Sequence, residues 1–414
     1  MAATSLYVFC YLPGEVTAVP AGRFDHDDVD GVGTFAYGSR YAKRQNALAV
    51  DGVALPLGAD PLPVATNGGL YGAFRDASPD HWGRLVIASG LKSPVEAVSE
   101  IDYLSHANAT RVGNLDFRPS PDSPEPALRP PEFQNIEDLL TAAEGLEAGR
   151  AVDERRRLML EQGSSLGGAR PKCTVQLDGE LWLAKFPSRN DRISMPRLEF
   201  GIMRLAAQCG LDVPETRLEP IGSRDVFLSR RFDREAVSGG WVRRGYLSAL
   251  SLAQWDERDR DRWSYRVIAE RIRKHSVRPS DDLRRLFLRI AFNILVRNTD
   301  DHPRNHGFLA EQKGITLSPL FDVEPALTRP GVSSEFFLAM GIGTQGRLAT
   351  LDNLRSAATV FNLKPSEADD LMRSVRTCVA SSWRDVLGSV GFDGKDLDIL
   401  APSFGQATRQ GEQR

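Results

Sequence analysis

Asn298-Thr299-Asp300-Asp301-His302-Pro303-Arg304-Asn305 is the stretch on which the reading of this chain turns. It follows directly on residues 280–296, where Leu283, Leu286, Phe287, Ile290, Ile294 and Leu295 recur at helical spacing and Ser280 is placed to cap the helix. Pro303 keeps that helix from running on and favours an extended loop. Within the loop, Asp300 and Asn305 stand five residues apart. One carboxylate can take the proton of an attacking hydroxyl, and a neutral amide oxygen nearby can hold a metal ion without adding negative charge. A polar helix end with turn residues would have the same composition, so the surrounding sequence has to decide.

Three further elements decide it. The apolar run Ser318-Pro319-Leu320-Phe321 ends in Asp322, 22 residues beyond Asp300, which matches the metal-binding aspartate that follows the catalytic loop in kinases. Val323 and Glu324 come next, so there is no Asp-Phe-Gly sequence. Lys185 sits in the apolar run Leu181-Trp182-Leu183-Ala184-Lys185-Phe186, where an ammonium group is costly to bury unless paired. Its natural partners are ATP phosphates and Glu199, near the start of the next helix, as in the strand-lysine to helix-glutamate pair of kinases. An edge-strand lysine facing solvent would look the same in isolation. Gly163-Ser164-Ser165-Leu166-Gly167-Gly168-Ala169-Arg170-Pro171-Lys172 precedes it; glycines let backbone N–H groups approach phosphate closely. This loop is neither a Walker A motif nor GxGxxG, and alone it reads as a flexible turn.

Working outward, residues 172–177 and 180–186 are strand candidates around the hairpin dipeptide Asp178-Gly179. Pro196 opens a helix that runs to Gly210 with Ile202, Leu205, Ala206 and Cys209 on one stripe. A second strand pair covers 216–220 and 226–232, and from about 247 the chain turns helical. Toward the N-terminus, residues 1–118 read as a small mixed domain with a strand at 5–12 and a hairpin at Asp51-Gly52. The proline-rich segment 119–132 is an exposed linker, and a helix follows with Ile136, Leu139, Leu140 and Ala143 on one side. The expected organisation is an N-terminal subdomain (1–118), a linker (119–132), a β-rich kinase lobe with phosphate loop and hinge (133–246), an all-helical lobe (247–402) and a disordered tail (403–414). That is an α+β, bilobal protein-kinase-like fold, in which nucleotide binds between lobes.

Composition narrows the alternatives. The formal net charge is −3, whereas a chain built mainly to grip nucleic acid is usually basic. Cys10, Cys173, Cys209 and Cys378 form no CxxC pair, which excludes a zinc ribbon and fits free thiols in a reducing cytoplasm. The apolar run at 6–12 is too short to span a membrane. His302 and His306 would share a helix face as metal ligands, but Pro303 and the lack of a third ligand nearby argue against it. The arginine-rich stretch 256–278 also carries Glu257, Asp259, Asp261 and Glu270, the pattern of a solvated, ion-paired face.

Taken in order, these elements resemble the HipA family of kinase toxins from bacterial toxin–antitoxin systems. Ser165 to Lys172 is similar to the family's phosphate loop, and the resemblance implies ATP contacts from Gly167, Gly168, Ala169, Arg170, Pro171 and Lys172. It makes Ser165 the autophosphorylated serine, with Ser164 as its adjacent substitute, and Lys185 the ATP-binding lysine. Phe227-Leu228-Ser229-Arg230-Arg231-Phe232-Asp233-Arg234 resembles the hinge, where backbone atoms of Arg230 and Phe232 would meet adenine and Arg231 lies between them. Asp300 matches the catalytic base and Asn305 and Asp322 the Mg²⁺ ligands, while His302, Pro303, Arg304 and Phe321 fall in the same nucleotide-contacting segments. The segment Pro79-Asp80-His81-Trp82-Gly83-Arg84 is similar to a family signature in the domain before the kinase core. Asp301 stands where many members carry a small or polar residue, and is expected to add an acidic contact to the site. The resemblance further implies a helix-turn-helix antitoxin of the HipB type, operator DNA reached mainly through it, and an aminoacyl-tRNA synthetase as protein substrate. A small-molecule or lipid phosphotransferase, and a corepressor acting with a helix-turn-helix partner, are the alternatives.

Overall fold

The structure, a computed structural model, describes residues 4–58, 60, 63–126, 129–163, 168, 170–327 and 335–408. The chain forms two compact units: residues 1–191, 219–257 and 309–314 make the first, and 192–218, 258–308 and 315–414 the second. The helix Met195–Gln208, expected within the 133–246 lobe, therefore belongs to the second unit.

The first unit contains two four-stranded sheets and the two-stranded hairpin Arg234–Val237 and Gly240–Arg243. One sheet is antiparallel, with strands in the order Val32–Tyr37, Ala18–Asp27, Thr4–Tyr11, Leu115–Arg118. Leu6, Val8 and Cys10 alternate onto one face, as the two-residue period of a strand requires, and meet Phe24, Phe35 and Phe117. Phe74 sits edge-on to those three rings, at centroid distances of 5.1, 5.6 and 5.1 Å. On the other face, the Arg118 guanidinium covers Phe9 at 3.9 Å and that of Arg243 covers Tyr11 at 4.2 Å.

The second sheet contains Lys172–Leu177, Glu180–Lys185, Arg224–Arg230 and Thr216–Ile221, in that spatial order. Asp178 (φ 54°) and Gly179 (φ 79°) both take the left-handed conformation of the expected tight hairpin turn. Val175, Trp182, Ala184 and Leu228 pack against Leu139 and Leu140 of the helix Ile136–Glu147.

Asp51-Gly52 does not join two strands. The Asp51 carboxylate is buried and accepts the N–H groups of Val53 (3.0 Å), Ala54 (2.9 Å) and Ala73 (3.0 Å). A side chain that satisfies its own backbone neighbours competes with ladder formation, so this segment is a capped turn with one bridge, Asp51 to Leu55.

The second unit is built on Met195–Gln208, Tyr265–His275, Pro279–Leu295 and Pro365–Ser389. Ser194 caps the first of these by accepting the Arg197 N–H. Pro279, not Ser280, opens the third: it occupies the first helical turn, where no amide hydrogen is needed, and Arg278 holds the cap position. Two strands, Gly307–Glu311 and Gly314–Leu317, interrupt the helical run expected over 247–402. Of the tail expected over 403–414, the part up to Thr408 is helical, as Ala401–Phe404 and Gly405–Thr408, and 409–414 lie outside the described residues.

Candidate active site

In the second unit the helix Pro279–Leu295 ends in a reverse turn. Asn298 donates its N–H to the Asn293 carbonyl at 2.9 Å, and Arg297 takes the left-handed conformation (φ 55°) usually left to glycine. This turn delivers Asp300 to the surface. The Asp300 carbonyl accepts the His302 N–H (2.8 Å) and the Asn305 Nδ2 (3.1 Å), which fixes the buried Asn305 side chain and leaves its Oδ1 available to a cation. Pro303–Asn305 is a single tight helical turn, with Pro303 buried and Arg304 half-buried.

Asp301 corrects an expectation. It adds no acidic contact to the site but turns into the core, 2% exposed, where its carboxylate meets His306 Nε2 at 2.7 Å. The His306 ring is fully buried and packs edge-on against Tyr265, 5.6 Å between centroids. His306 thus braces the loop from inside, so a metal pair with His302 has no support.

Asp322 has φ 60°, and a left-handed non-glycine residue stores strain that tends to mark functional positions. Its segment is tied down on both sides: Ser318 donates to the Gly307 carbonyl (2.9 Å), and Ala326 donates to the Arg297 carbonyl (2.9 Å). Asp322, Glu199 and Glu324 each place a carboxylate oxygen within 4.8 Å of the others, and Glu199 is buried. Three carboxylates so close repel one another unless protons or a cation intervene, so this trio can hold a divalent ion. Glu324 was not singled out from sequence; the only signal was its place two residues after Asp322.

In the first unit, Lys172 and Lys185 are directly opposite across an antiparallel pair and so share one face of the sheet. They are 5% and 6% exposed. Like charges in this arrangement destabilise a sheet, and an anion between them reverses the sign. Gly168 has φ 109°, a conformation that L side chains rarely adopt, and the Lys172 ammonium lies directly against it. Arg170 pairs with Asp191 at 2.7 Å, and the Pro171 carbonyl accepts the Phe186 N–H at 2.9 Å. Ser164, Ser165, Gly167 and Ala169 lie outside the described residues.

At the expected hinge, Arg230 ends its strand opposite Trp182, and Phe232 and Phe321 are half-buried. Arg231 is not placed to touch a nucleotide. Its backbone N–H goes to the Leu181 carbonyl (2.9 Å), and its buried guanidinium goes to Asp233 (2.7 Å), Thr174 Oγ1 (3.2 Å) and the carbonyls of Thr110 (2.5 Å) and Arg111 (3.3 Å). A guanidinium attracts whatever acceptors the fold brings to it, and here these come from distant segments. Among the described residues, no helix is long and apolar enough to cross a membrane.

A lysine-bearing antiparallel sheet and an Asp–Asn loop followed by a strained aspartate define a kinase-type phosphotransferase. The chain belongs to the HipA family of kinases: the HipA-like C-terminal domain matches residues 164–383. It is 27% identical over 395 residues to "Putative kinase Y4mE" of Sinorhizobium fredii, covering 91% of each chain. It is 25% identical over 226 residues to "Putative kinase" of Haemophilus influenzae, covering 50% of this chain and 64% of that one. The fold is that of Shewanella oneidensis HipA, solved with HipB and operator DNA. The TM-score is 0.70 at 16% identity, over 97% of this chain and 96% of the other.

Proposed function

We propose that this chain is an ATP-dependent serine/threonine protein kinase of the toxin type. The carrying observation is that Lys172 and Lys185 lie opposite each other on one sheet face, two ammonium groups side by side that suit the phosphates of ATP. In this reading Lys185, Lys172 and the 163–172 loop hold phosphate, and backbone atoms near Arg230 and Phe232 meet adenine. The exposed Asp300 takes the proton of the attacking hydroxyl as that oxygen bonds to the γ-phosphorus and ADP departs. Asn305 and Asp322, with Glu324 beside them, fit Mg²⁺, which would neutralise phosphate charge.

The partner we propose is a helix-turn-helix antitoxin of the HipB type, with operator DNA reached through it. The Shewanella relative, solved with both, supports this. An aminoacyl-tRNA synthetase is the proposed acceptor class, on the family resemblance, and Ser165 the proposed self-inactivating phosphosite. A phosphate there would repel the phosphates of ATP. We also propose the division 1–118, 119–132, 133–246 and 247–402 as functional segments.

The test is incubation of wild type and Asp300→Asn with labelled MgATP, a protein extract and a panel of small alcohols. Label on protein hydroxyls and on Ser164 or Ser165 is expected from wild type alone. Label only on small alcohols, or equal label from both proteins, would overturn the proposal.

A further inference from the structure

The Pro79–Arg84 segment is not used by the mechanism above, yet both backbone groups of Gly168 go to it. The Gly168 N–H donates to Asp80 Oδ2 at 2.9 Å, and its carbonyl accepts the Trp82 N–H at 3.2 Å. The Trp82 indole donates to the Lys172 carbonyl at 2.8 Å, from a ring that is 1% exposed. One short segment therefore grips the glycine loop at Gly168 and again at Lys172, where it becomes a strand.

Asp80 stands at the N-cap of the helix His81–Leu91, the position where aspartate normally accepts an amide of its own first turn. Its side chain makes no such cap bond. The carboxylate reaches to Gly168 instead, and Arg75 Nη2 holds it from the other side at 3.0 Å. Arg75 in turn has a second carboxylate, Glu257, at 2.8 Å. A helix that gives up its cap to restrain a glycine loop spends local stability on the placement of that loop.

We infer that Asp80 and Trp82 are positioning residues for nucleotide binding: they fix the end of the glycine loop so that the Lys172 ammonium, lying against Gly168, is presented to phosphate. The inference rests on the kinase reading. Gly168, expected to meet ATP through its backbone, has its N–H committed to Asp80 and acts through Lys172 instead. Phosphate contact with a freed loop requires ordering it at the moment of binding, which lowers affinity without altering the reacting groups.

The experiment is calorimetric titration of the full chain with MgATP, paired with steady-state kinetics, for wild type, Asp80→Ala, Asp80→Asn and Trp82→Phe. Asp80→Ala should weaken ATP binding and raise its KM about tenfold, the scale of one charge-assisted hydrogen bond, with kcat and the acceptor KM little changed. Asp80→Asn keeps an oxygen acceptor for Gly168 and should recover most of the loss. Trp82→Phe keeps an aromatic ring, though a smaller one, but not the indole N–H, and should raise the ATP KM by about threefold. Wild type that binds no MgATP overturns the kinase reading and this inference with it. Wild-type binding with unchanged affinity in Asp80→Ala overturns the inference alone. So does Asp80→Asn as weak as Asp80→Ala, or a loss that falls on kcat.

Discussion

Replacing Asp233 by alanine should be among the most damaging single changes in the first unit, although Asp233 touches no proposed substrate. Its Oδ1 accepts Arg231 Nε at 2.9 Å, and its Oδ2 accepts Arg231 Nη2 (2.7 Å), Arg234 Nη1 (2.7 Å) and the Gly113 N–H (2.9 Å). Asp233 is 3% exposed, and Arg231 and Arg234 are 6% and 4% exposed. Truncation leaves two buried guanidinium groups without their shared counter-charge, and breaking a buried pair from one side costs about 3–5 kcal/mol. The pH dependence follows from the same geometry. Burial alone would raise the Asp233 carboxyl, but the pull of Arg231 and Arg234 outweighs it and holds the group well below the usual carboxylate range. The folded pKa thus lies below the unfolded value of about 3.9, so the stabilisation is complete above about pH 4. It is lost as pH falls from there through the folded pKa. The assay is urea unfolding followed by tryptophan fluorescence, at neutral pH and at a series of acidic pH values. Asp233→Ala should lower the midpoint sharply at neutral pH and lose stability less steeply than wild type below about pH 4. A cost under about 1 kcal/mol, or parallel acid limbs, would refute the account of Arg231 as a structural anchor.

Two other outcomes test the site. Lys185→Ala should abolish phosphotransfer while the fold survives, because it removes one of the two cations presented to phosphate; normal turnover in the folded variant would remove Lys185 from the site. Activity should require Mg²⁺ or Mn²⁺, and Asp322→Asn should raise the metal concentration needed at least tenfold, since it removes one of three clustered carboxylates; full activity in EDTA, or an unchanged metal requirement, would sink the assignment.

How much of this was visible in the chain itself depends on the reach of each signal. The hairpin at Asp178-Gly179, the stripe of Ile202, Leu205 and Ala206, and the helix leading into Asp300 are written in turn chemistry and periodicity within a few residues. Such signals survive in any tertiary context that buries the apolar face. The spacing of Asp300 and Asn305 belongs with them, because a five-residue loop largely dictates its own hydrogen bonds. Charged side chains follow another rule: a partner is chosen by proximity in space, and sequence does not carry that distance. Asp301 was expected in the site and instead holds His306 in the core. Arg231 was expected at a nucleotide and instead binds carbonyls of Thr110 and Arg111, about 120 residues away. Glu324 gained its place beside Asp322 and Glu199 only when the chain folded back on itself. At Asp80, local preference asked for a helix cap, and the tertiary structure gave the carboxylate to the Gly168 N–H and the Arg75 guanidinium, because a charge-assisted pair brought together by the fold outweighs a helix's own first-turn amide.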